Sequence, residues 1–243
     1  MVNEGCNKLV IAFMYNEAPY LQAWIDYYRC NGCDLYVINN HSSDNTEQIL
    51  IDNNVSYHNF DTGNSFHLVK LQEEADRVIN NIKPKWVVYA AADLYHIFDK
   101  KISDVLDDVK FSQIETICLN FLNIGENYNS DLQNTYFYYQ KYRPLCLISK
   151  YYDGFQLAGD NITSKGLPRG LYDNGICANY GACKSVFEQI EKLERRRKAW
   201  DEGLRKQTGK HFEKGLKRNW IYNKDECEDI RMSEYKYLID KIR

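Results

Sequence analysis

Proline and glycine are scarce in this sequence, with 4 prolines and 13 glycines among 243 residues. That composition excludes a collagen-like or low-complexity chain. Long apolar runs are also missing, since no stretch approaches the ~18–20 residues that a membrane-spanning helix needs. Residues 1–6 carry neither the basic start nor the apolar stretch of a secretion signal. We therefore expect a soluble protein of the cytoplasm.

Cysteine occurs 8 times, but in a pattern that lacks what a zinc site or a disulfide framework requires. Cys30 and Cys33 are the one close pair, and the sequence has no second pair or paired histidines to complete a structural zinc site. In a chain without a secretion signal, we interpret the cysteines as reduced structural thiols.

Apolar and aromatic residues are plentiful, at 44% and 14% of the chain, which is enough for a sizeable core. The net charge of -3 is unevenly distributed. Residues 192–218 carry 11 Lys or Arg against 4 Asp or Glu, a net +7, and the rest of the chain is net -10. A basic segment on an acidic body favours a phosphate-bearing ligand or a polyanion as partner.

Strands and helices are predicted to alternate over the first hundred residues. Short apolar runs predict strands at 8–13, 35–38, 55–57 and 86–92. Apolar residues at helical spacing predict two amphipathic helices, one burying Leu21, Trp24, Ile25 and Tyr28 and one spanning 68–82. This alternation predicts an α/β fold with a mostly parallel, doubly wound sheet flanked by helices.

Polar side chains follow the predicted strands. Parallel sheets bind ligands at the carboxyl ends of their strands, so these segments should share one edge: 14–17, 39–44 and 93–96. Asn16 is also a candidate N-cap of the first helix. Asp44, with Glu47 three residues later, resembles a capping box that would begin the second helix.

The second half of the chain has a different pattern. We expect a strand, two polar loops and a helix, at 116–120, 123–134, 150–182 and 184–200. No internal repeat is visible, and we predict a single domain with a mixed, loop-rich and helical C-terminal half.

Five motifs follow one another along the chain: Asn16-Glu17, Leu21-x-x-Trp24, the turn from Asn40 to Thr46, the run from Trp86 to Asp93, and Asn179-Tyr180 before Lys184-Ser185. Together they resemble the family 2-like glycosyltransferases with a GT-A fold, most closely over residues 8–97. The resemblance implies a GT-A-type, Rossmann-like sheet. It also implies a nucleotide-binding half at 1–115 and an acceptor-side half, with basic helices, at 116–243.

The resemblance further implies that a nucleotide such as UDP lies against the ends of the first strands. The implied contacts are Phe13, Tyr15, Asn16, Glu17, Asn40, Ala92 and Asp93. Relatives hold a divalent cation, Mn²⁺ or Mg²⁺, through an Asp-x-Asp motif. Ala91 stands at the first of those positions here, so Asp93 is the carboxylate left as metal ligand.

Charge on a leaving diphosphate can also be neutralised by basic side chains, for which we predict Lys165, Arg169 and Lys184. An acceptor hydroxyl needs a carboxylate base within hydrogen-bonding reach. Among the acidic residues of the predicted loops, Asp160 is the first candidate for this base and Glu126 the second. Asp131, Asp153 and Asp173 are further alternatives.

Two functions follow from these patterns. The first is transfer of a sugar from a nucleotide-diphosphate-sugar donor to a hydroxyl acceptor on a glycan, protein or other molecule, with inversion implied by the resemblance. The second is a catalytically degenerate module of the same fold that binds a glycan or nucleic acid through the basic segment at 192–218.

Overall fold

The structure, a computed structural model, describes residues 6–63, 67–108, 115–126, 135–138, 145–158, 161–162, 168–179 and 228–229. Over these residues the chain is an α/β protein in which helices flank a large sheet, which confirms the predicted fold class. The helices are α1 (Ala18–Cys30), α2 (Thr46–Asp52), α3 (Leu68–Ile82) and α4 (Ile102–Asp107). The helix predicted at 184–200 lies outside the described residues.

The strands are β1 (Lys8–Met14), β2 (Asp34–Asn39), β3 (Ser56–Asn59), β4 (Trp86–Tyr89), β5 (Leu94–Phe98), β6 (Thr116–Glu126), β7 (Thr135–Tyr138), β8 (Leu145–Lys150), β9 (Leu157–Ala158), β10 (Asn161–Ile162), β11 (Arg169–Asn179) and β12 (Glu228–Asp229). β9 and β10 form a separate two-stranded ribbon. The main sheet has the order β12-β7-β6-β8-β4-β1-β2-β3, with β11 joined to β6 and β5 joined to β11.

The first four strands form the parallel part of the sheet. β1 lies between β2 and β4, and β3 extends the sheet beyond β2. Side chains of β1 are buried on both faces, with Leu9 and Ile11 in the cluster that α3 covers and Val10 and Ala12 in the cluster that α1 covers. Burial on both faces explains why this strand is a continuous apolar run rather than an alternating one.

α1 buries the four residues predicted from their spacing, Leu21, Trp24, Ile25 and Tyr28. Its N-cap is Glu17, so the predicted capping role of Asn16 is wrong. Asn16 instead has a φ of 53°, in the left-handed region, and its side chain bonds the loop after β2.

Strand directions in the second half bring several carboxyl ends to one edge. β8 runs antiparallel to β4 and β6 antiparallel to β8, so β6 points the same way as β4. β11 runs parallel to β6. These strands therefore point toward one edge of the sheet, which we call the rim. We define it by the strand ends Met14, Asn39, Tyr89 and Asn179 and by Asn123 of β6, which pairs with Asn179.

Two of the predicted polar loops contain strands instead. β6 continues to Glu126, and β11 is an 11-residue strand inside the segment predicted as loop at 150–182. β11 contains Gly170, Gly175 and Asn174, residues with low strand preference. Its pairing with both β5 and β6 overrides that local preference.

The strand predicted at 86–92 is shorter than expected. β4 ends at Tyr89, and residues 90–93 turn the chain into β5. A hydrogen bond of 2.9 Å from Leu94 N–H to Ala91 O closes this turn. Asp93 therefore lies in a turn at the rim rather than at the end of a strand.

Among the cysteines that the structure describes, Cys6, Cys30, Cys33 and Cys177 are free thiols. Burial raises the pKa of Cys33 to about 12, so its thiol stays protonated at neutral pH. This supports the interpretation of the Cys30–Cys33 pair as structural.

Within the part of the chain that the structure describes, no helix has the length and apolar character to span a membrane.

Candidate functional site

The loops after β1 and β2 are joined by hydrogen bonds at the rim. The N–H of Asn16 donates to Ser42 Oγ at 3.0 Å, and the N–H of Ser43 donates to Asn16 Oδ1 at 2.8 Å. Asn16 and His41 both have left-handed φ angles, of 53° and 55°. Few non-glycine residues adopt that conformation, and those that do often cluster at ligand sites.

The first turn of α1 is satisfied by side chains from the loop after β2 and the start of α2. Thr46 Oγ1 accepts the N–H of Glu17 at 2.8 Å, and Asp44 Oδ2 accepts the N–H of Ala18 at 3.1 Å. The next residue, Pro19, has no N–H to offer. The N-terminus of α1 is therefore not an open anion site, and a diphosphate at the rim needs other partners.

Asp44 also bonds the start of α2, because its Oδ1 accepts the N–H of Thr46 at 2.9 Å. One carboxylate thus joins the beginnings of two helices. The predicted reciprocal bond from Glu47 is absent, and Glu47 Oε1 instead accepts from the Tyr57 hydroxyl at 3.0 Å and from Asn59 Nδ2 at 2.8 Å.

Two buried amide side chains hold the loops around the end of β2. Asn40 is 3% exposed, and its Oδ1 accepts both the N–H of Thr62 at 3.2 Å and the Thr62 hydroxyl at 2.9 Å. Asn39 is 1% exposed, and its Oδ1 accepts the Ser42 hydroxyl at 2.6 Å. Asn40 therefore fixes the loop after β3 beside the rim.

Asp93 is a largely buried carboxylate, 8% exposed, in the turn between β4 and β5. Burial, with a smaller effect of the nearby Asp93 charge, raises the pKa of Tyr95 to about 12. The same two causes raise the pKa of the Cys177 thiol. Leu94, the next residue, pairs with Asn179 of β11, so the start of β5 and the end of β11 meet beside Asp93.

A divalent cation at Asp93 would need further ligands besides the side chains of the described residues. Among the residues that the structure describes, no three His, Cys, Asp or Glu side chains are grouped as a metal site. Magnesium is often held by one or two carboxylates together with substrate phosphates. The described side chains are compatible with that shared arrangement and do not by themselves form a complete metal site.

The seven predicted donor-binding residues all lie in the strand ends and loops along the rim. Phe13 is on β1 with its ring centroid 5.4 Å from that of Tyr89, Tyr15 follows β1, and Ala92 is 2% exposed in the turn before Asp93. Asn16, Glu17 and Asn40 occupy the two joined loops described above. The structure thus places the predicted donor-binding residues along one edge of the sheet.

Arg169 is not part of that group. It pairs with Thr116 at the start of β6, a position that is level, across β8, with Val87 of β4, two residues before Tyr89. Lys165 and Lys184, the other predicted diphosphate ligands, lie outside the described residues.

The two predicted catalytic bases differ in what the structure describes of them. Glu126 lies three residues beyond Asn123 on β6. Its backbone therefore extends about 10 Å past the rim in the direction of the strand. Asp160 lies outside the described residues, between the paired residues Ala158 of β9 and Asn161 of β10.

Sequence reasoning missed the residues that hold the site in place. Ser42, Ser43 and Thr62 accept or donate the bonds that join the loops, and Tyr28 and Asn179 contact or pair with the residue after Asp93. The polar run from Asn39 to Asn45 was a signal for the first two. For the others the sequence carries no local signal, because their partners are distant along the chain.

No protein-family model matches the chain, and no curated protein matches it. Solved structures that are similar in fold include S. aureus TarS 1–349, with 11% identity and a TM-score of 0.49 over 78% of this chain and 63% of that one. The same TarS chain in complex with UDP has 11% identity and a TM-score of 0.47 over 78% and 64%.

Another similar structure is glucosyl-3-phosphoglycerate synthase from Mycobacterium tuberculosis in complex with Mn²⁺, UDP and glucosyl-3-phosphoglycerate. It has 16% identity and a TM-score of 0.34 over 48% of this chain and 44% of that one. The chain spans less than two thirds of the length of each of these proteins, and 24% of a longer TarS structure.

Proposed function

We propose that this chain transfers a sugar from a nucleotide-diphosphate-sugar donor to a hydroxyl acceptor. The observation that carries the proposal is the position of Asp93, a largely buried carboxylate at the same rim as the joined loops after β1 and β2. Ligands of open α/β sheets bind at this edge, outside the carboxyl ends of the strands.

The nucleotide would lie against the loops after β1 and β2. Side chains of Tyr15, Asn16 and Glu17 are half-buried there, and Phe13, also half-buried, supplies apolar surface beside them. Ala92 lies buried beneath this surface, in the turn before Asp93. Asn40 contributes by holding Thr62 in place. Amide and carboxylate groups in this position can hydrogen-bond ring edges and ribose hydroxyls.

The leaving diphosphate gains negative charge as its bond to the sugar breaks. We propose that Asp93 would hold a Mn²⁺ or Mg²⁺ ion together with the phosphate oxygens. Such an ion would neutralise the charge that develops on the diphosphate. Lys165 and Lys184 remain candidates for direct contacts to the diphosphate. Arg169, at the start of β11, remains a candidate as well.

The acceptor hydroxyl would attack the anomeric carbon of the sugar as the bond from that carbon to the diphosphate oxygen breaks. A carboxylate base takes the hydroxyl proton, and attack from the face opposite the leaving group gives inversion. Support for Glu126 in this role comes from its backbone position beyond the rim. Asp160 remains the alternative base.

A binding module without turnover is the second candidate function. Ala91, at the first position of the Asp-x-Asp pattern, and the basic segment 192–218 favour it. In that case the chain binds a polyanionic glycan or nucleic acid, with an affinity that falls steeply with salt.

Calorimetric titration with UDP, GDP, dTDP, CMP and their sugars, each with and without Mn²⁺, separates the two functions. UDP is the first probe because two of the similar structures contain it. We expect one nucleotide to bind and D93N to weaken its binding in Mn²⁺ by at least tenfold. D52N is the matched control, because Asp52 is an exposed carboxylate at the end of α2 farthest from the rim. Absence of binding by every nucleotide, together with salt-dependent binding of RNA or DNA, contradicts the transferase.

A further inference from the structure

Two tyrosine hydroxyls of α1 bond the outer edge of β5. The hydroxyl of Tyr28 donates to Leu94 O at 3.0 Å, and that of Tyr27 donates to His96 O at 2.7 Å. The other edge of β5 pairs with β11. The strand that follows Asp93 is therefore fixed from both sides, by a strand on one side and by phenols on the other.

The bond to Leu94 is next to Asp93 along the chain. Leu94 N–H bonds Ala91 O across the turn, and Leu94 O accepts from Tyr28. Both polar groups of the residue after Asp93 are thus held, one by the turn itself and one by α1. Tyr28 is 0% exposed, so water does not compete for its hydroxyl.

His96 is a second partner of the Tyr28 hydroxyl. Tyr28 Oη and His96 Nδ1 are 2.8 Å apart. The Tyr28 hydroxyl thus lies within hydrogen-bonding distance of both Leu94 O and His96 Nδ1. The other ring nitrogen of His96, Nε2, is buried with no hydrogen-bond partner among the described residues.

We propose that Tyr28 is a positioning residue that fixes Asp93 for nucleotide binding, through its hydrogen bond to Leu94 O. The inference rests on the proposed function, since it concerns the same carboxylate. Charged groups in active sites must be held within a fraction of an ångström of the productive position, and a misplacement of 1 Å can cost up to about a hundredfold in rate.

The test compares Y28F with Y27F. Both substitutions remove one hydroxyl from adjacent residues of the same helix, and each deletes a bond to a carbonyl of β5. Only the Tyr28 bond is next to Asp93. Affinity for the nucleotide that binds the wild-type protein is measured with Mn²⁺ by calorimetry, well below the melting temperature of each variant.

The same two substitutions are then made in the D93N background. If Tyr28 acts through Asp93, Y28F weakens binding by about tenfold with Asp93 present and by less than twofold in D93N. Y27F should change affinity by less than twofold in both backgrounds. A merely structural loss in Y28F would lower affinity by the same factor whether or not Asp93 is present.

Y28F leaves His96 Nδ1 without a partner and can fail to fold. In that case the Y28F/H96L double variant is used in place of Y28F and is compared with H96L alone. Removing both polar partners destabilises the fold less than removing one of them. Equal affinity of Y28F and wild type, or an equal loss in both backgrounds, overturns the proposal and leaves the proposed function standing. Absence of nucleotide binding by the wild-type protein overturns both.

Discussion

The carboxylate of Asp44 accepts the backbone N–H of Ala18 at 3.1 Å, so a side chain that follows β2 holds the first turn of α1. The same carboxylate accepts the N–H of Thr46 at the start of α2. The two helices that flank the candidate nucleotide site therefore share one anchor, and their relative position depends on it.

We expect D44A to lower the free energy of unfolding by about 1–2 kcal/mol, because two helix-terminal N–H groups lose their acceptor. D44N should cost less, since its one amide oxygen can keep one of the two bonds. Urea unfolding of both variants, with D52A as an exposed control on α2, checks the prediction. Equal stability of D44A and D52A would contradict it.

Removing the buried amide of Asn40 should lower the free energy of unfolding more than removing one of the groups that the amide binds. N40A leaves both the N–H and the hydroxyl of Thr62 without their acceptor, for a loss of about 1–3 kcal/mol. T62V removes the hydroxyl alone and keeps the N–H bond, so we expect about 1 kcal/mol. Thermal unfolding measures both, and a larger loss in T62V than in N40A would be inconsistent with this arrangement.

Two glycines with the same backbone conformation should differ in their tolerance of a methyl group. Gly32 has a φ of 75°, and a Cβ there would lie 2.8 Å from Ser103 Cβ. Gly154 has a φ of 74°, with no atom within 4 Å of its Cβ position.

G154A therefore carries only the left-handed backbone cost, about 1 kcal/mol, and G32A adds the steric conflict, for about 2–4 kcal/mol in total. The difference in melting temperature between the two variants is the measurement. If G32A is as stable as G154A, α4 shifts away from the end of α1 more easily than its packing indicates.

Acidification should destabilise the protein through His96. Burial lowers the pKa of His96 to about 3, whereas the unfolded chain has the ordinary value near 6.5. Between these two values the unfolded chain binds a proton that the folded chain does not, so the free energy of unfolding falls as pH decreases from about 6.5 toward 3. The slope from this group is roughly 1 kcal/mol per pH unit.

H96L should flatten that slope between pH 4 and 6, as measured by urea unfolding at several pH values. H41Q is the control, because His41 is exposed in the loop after β2. An unchanged slope in H96L would mean that other groups dominate the acid response.

Local sequence patterns were enough to predict the parallel half of the fold. The buried face of α1 and the apolar run of β1 are spaced as their packing requires. β11 could not be predicted in this way, because its glycines and Asn174 become a strand only through pairing with distant segments. Such pairings depend on residues that are far apart in the sequence, so a short stretch of sequence does not predict them.

The same distinction separates the predicted and unpredicted parts of the candidate site. Asn16, Asn40 and Asp93 follow strands directly, so their arrival at one edge is a consequence of parallel topology. Thr62 and Tyr28 reach the site through a tertiary contact made 22 and 66 residues away in the sequence. Only the folded chain reveals those partners.

The bonds from α1 to β5 have a consequence for self-association. A strand with unpaired backbone groups along one edge can recruit a strand from another molecule and begin edge-to-edge aggregation. Two of the carbonyls that such a strand would need, those of Leu94 and His96, are already occupied by phenol hydroxyls. The tyrosines of α1 thus keep β5 from serving as a template for a second chain.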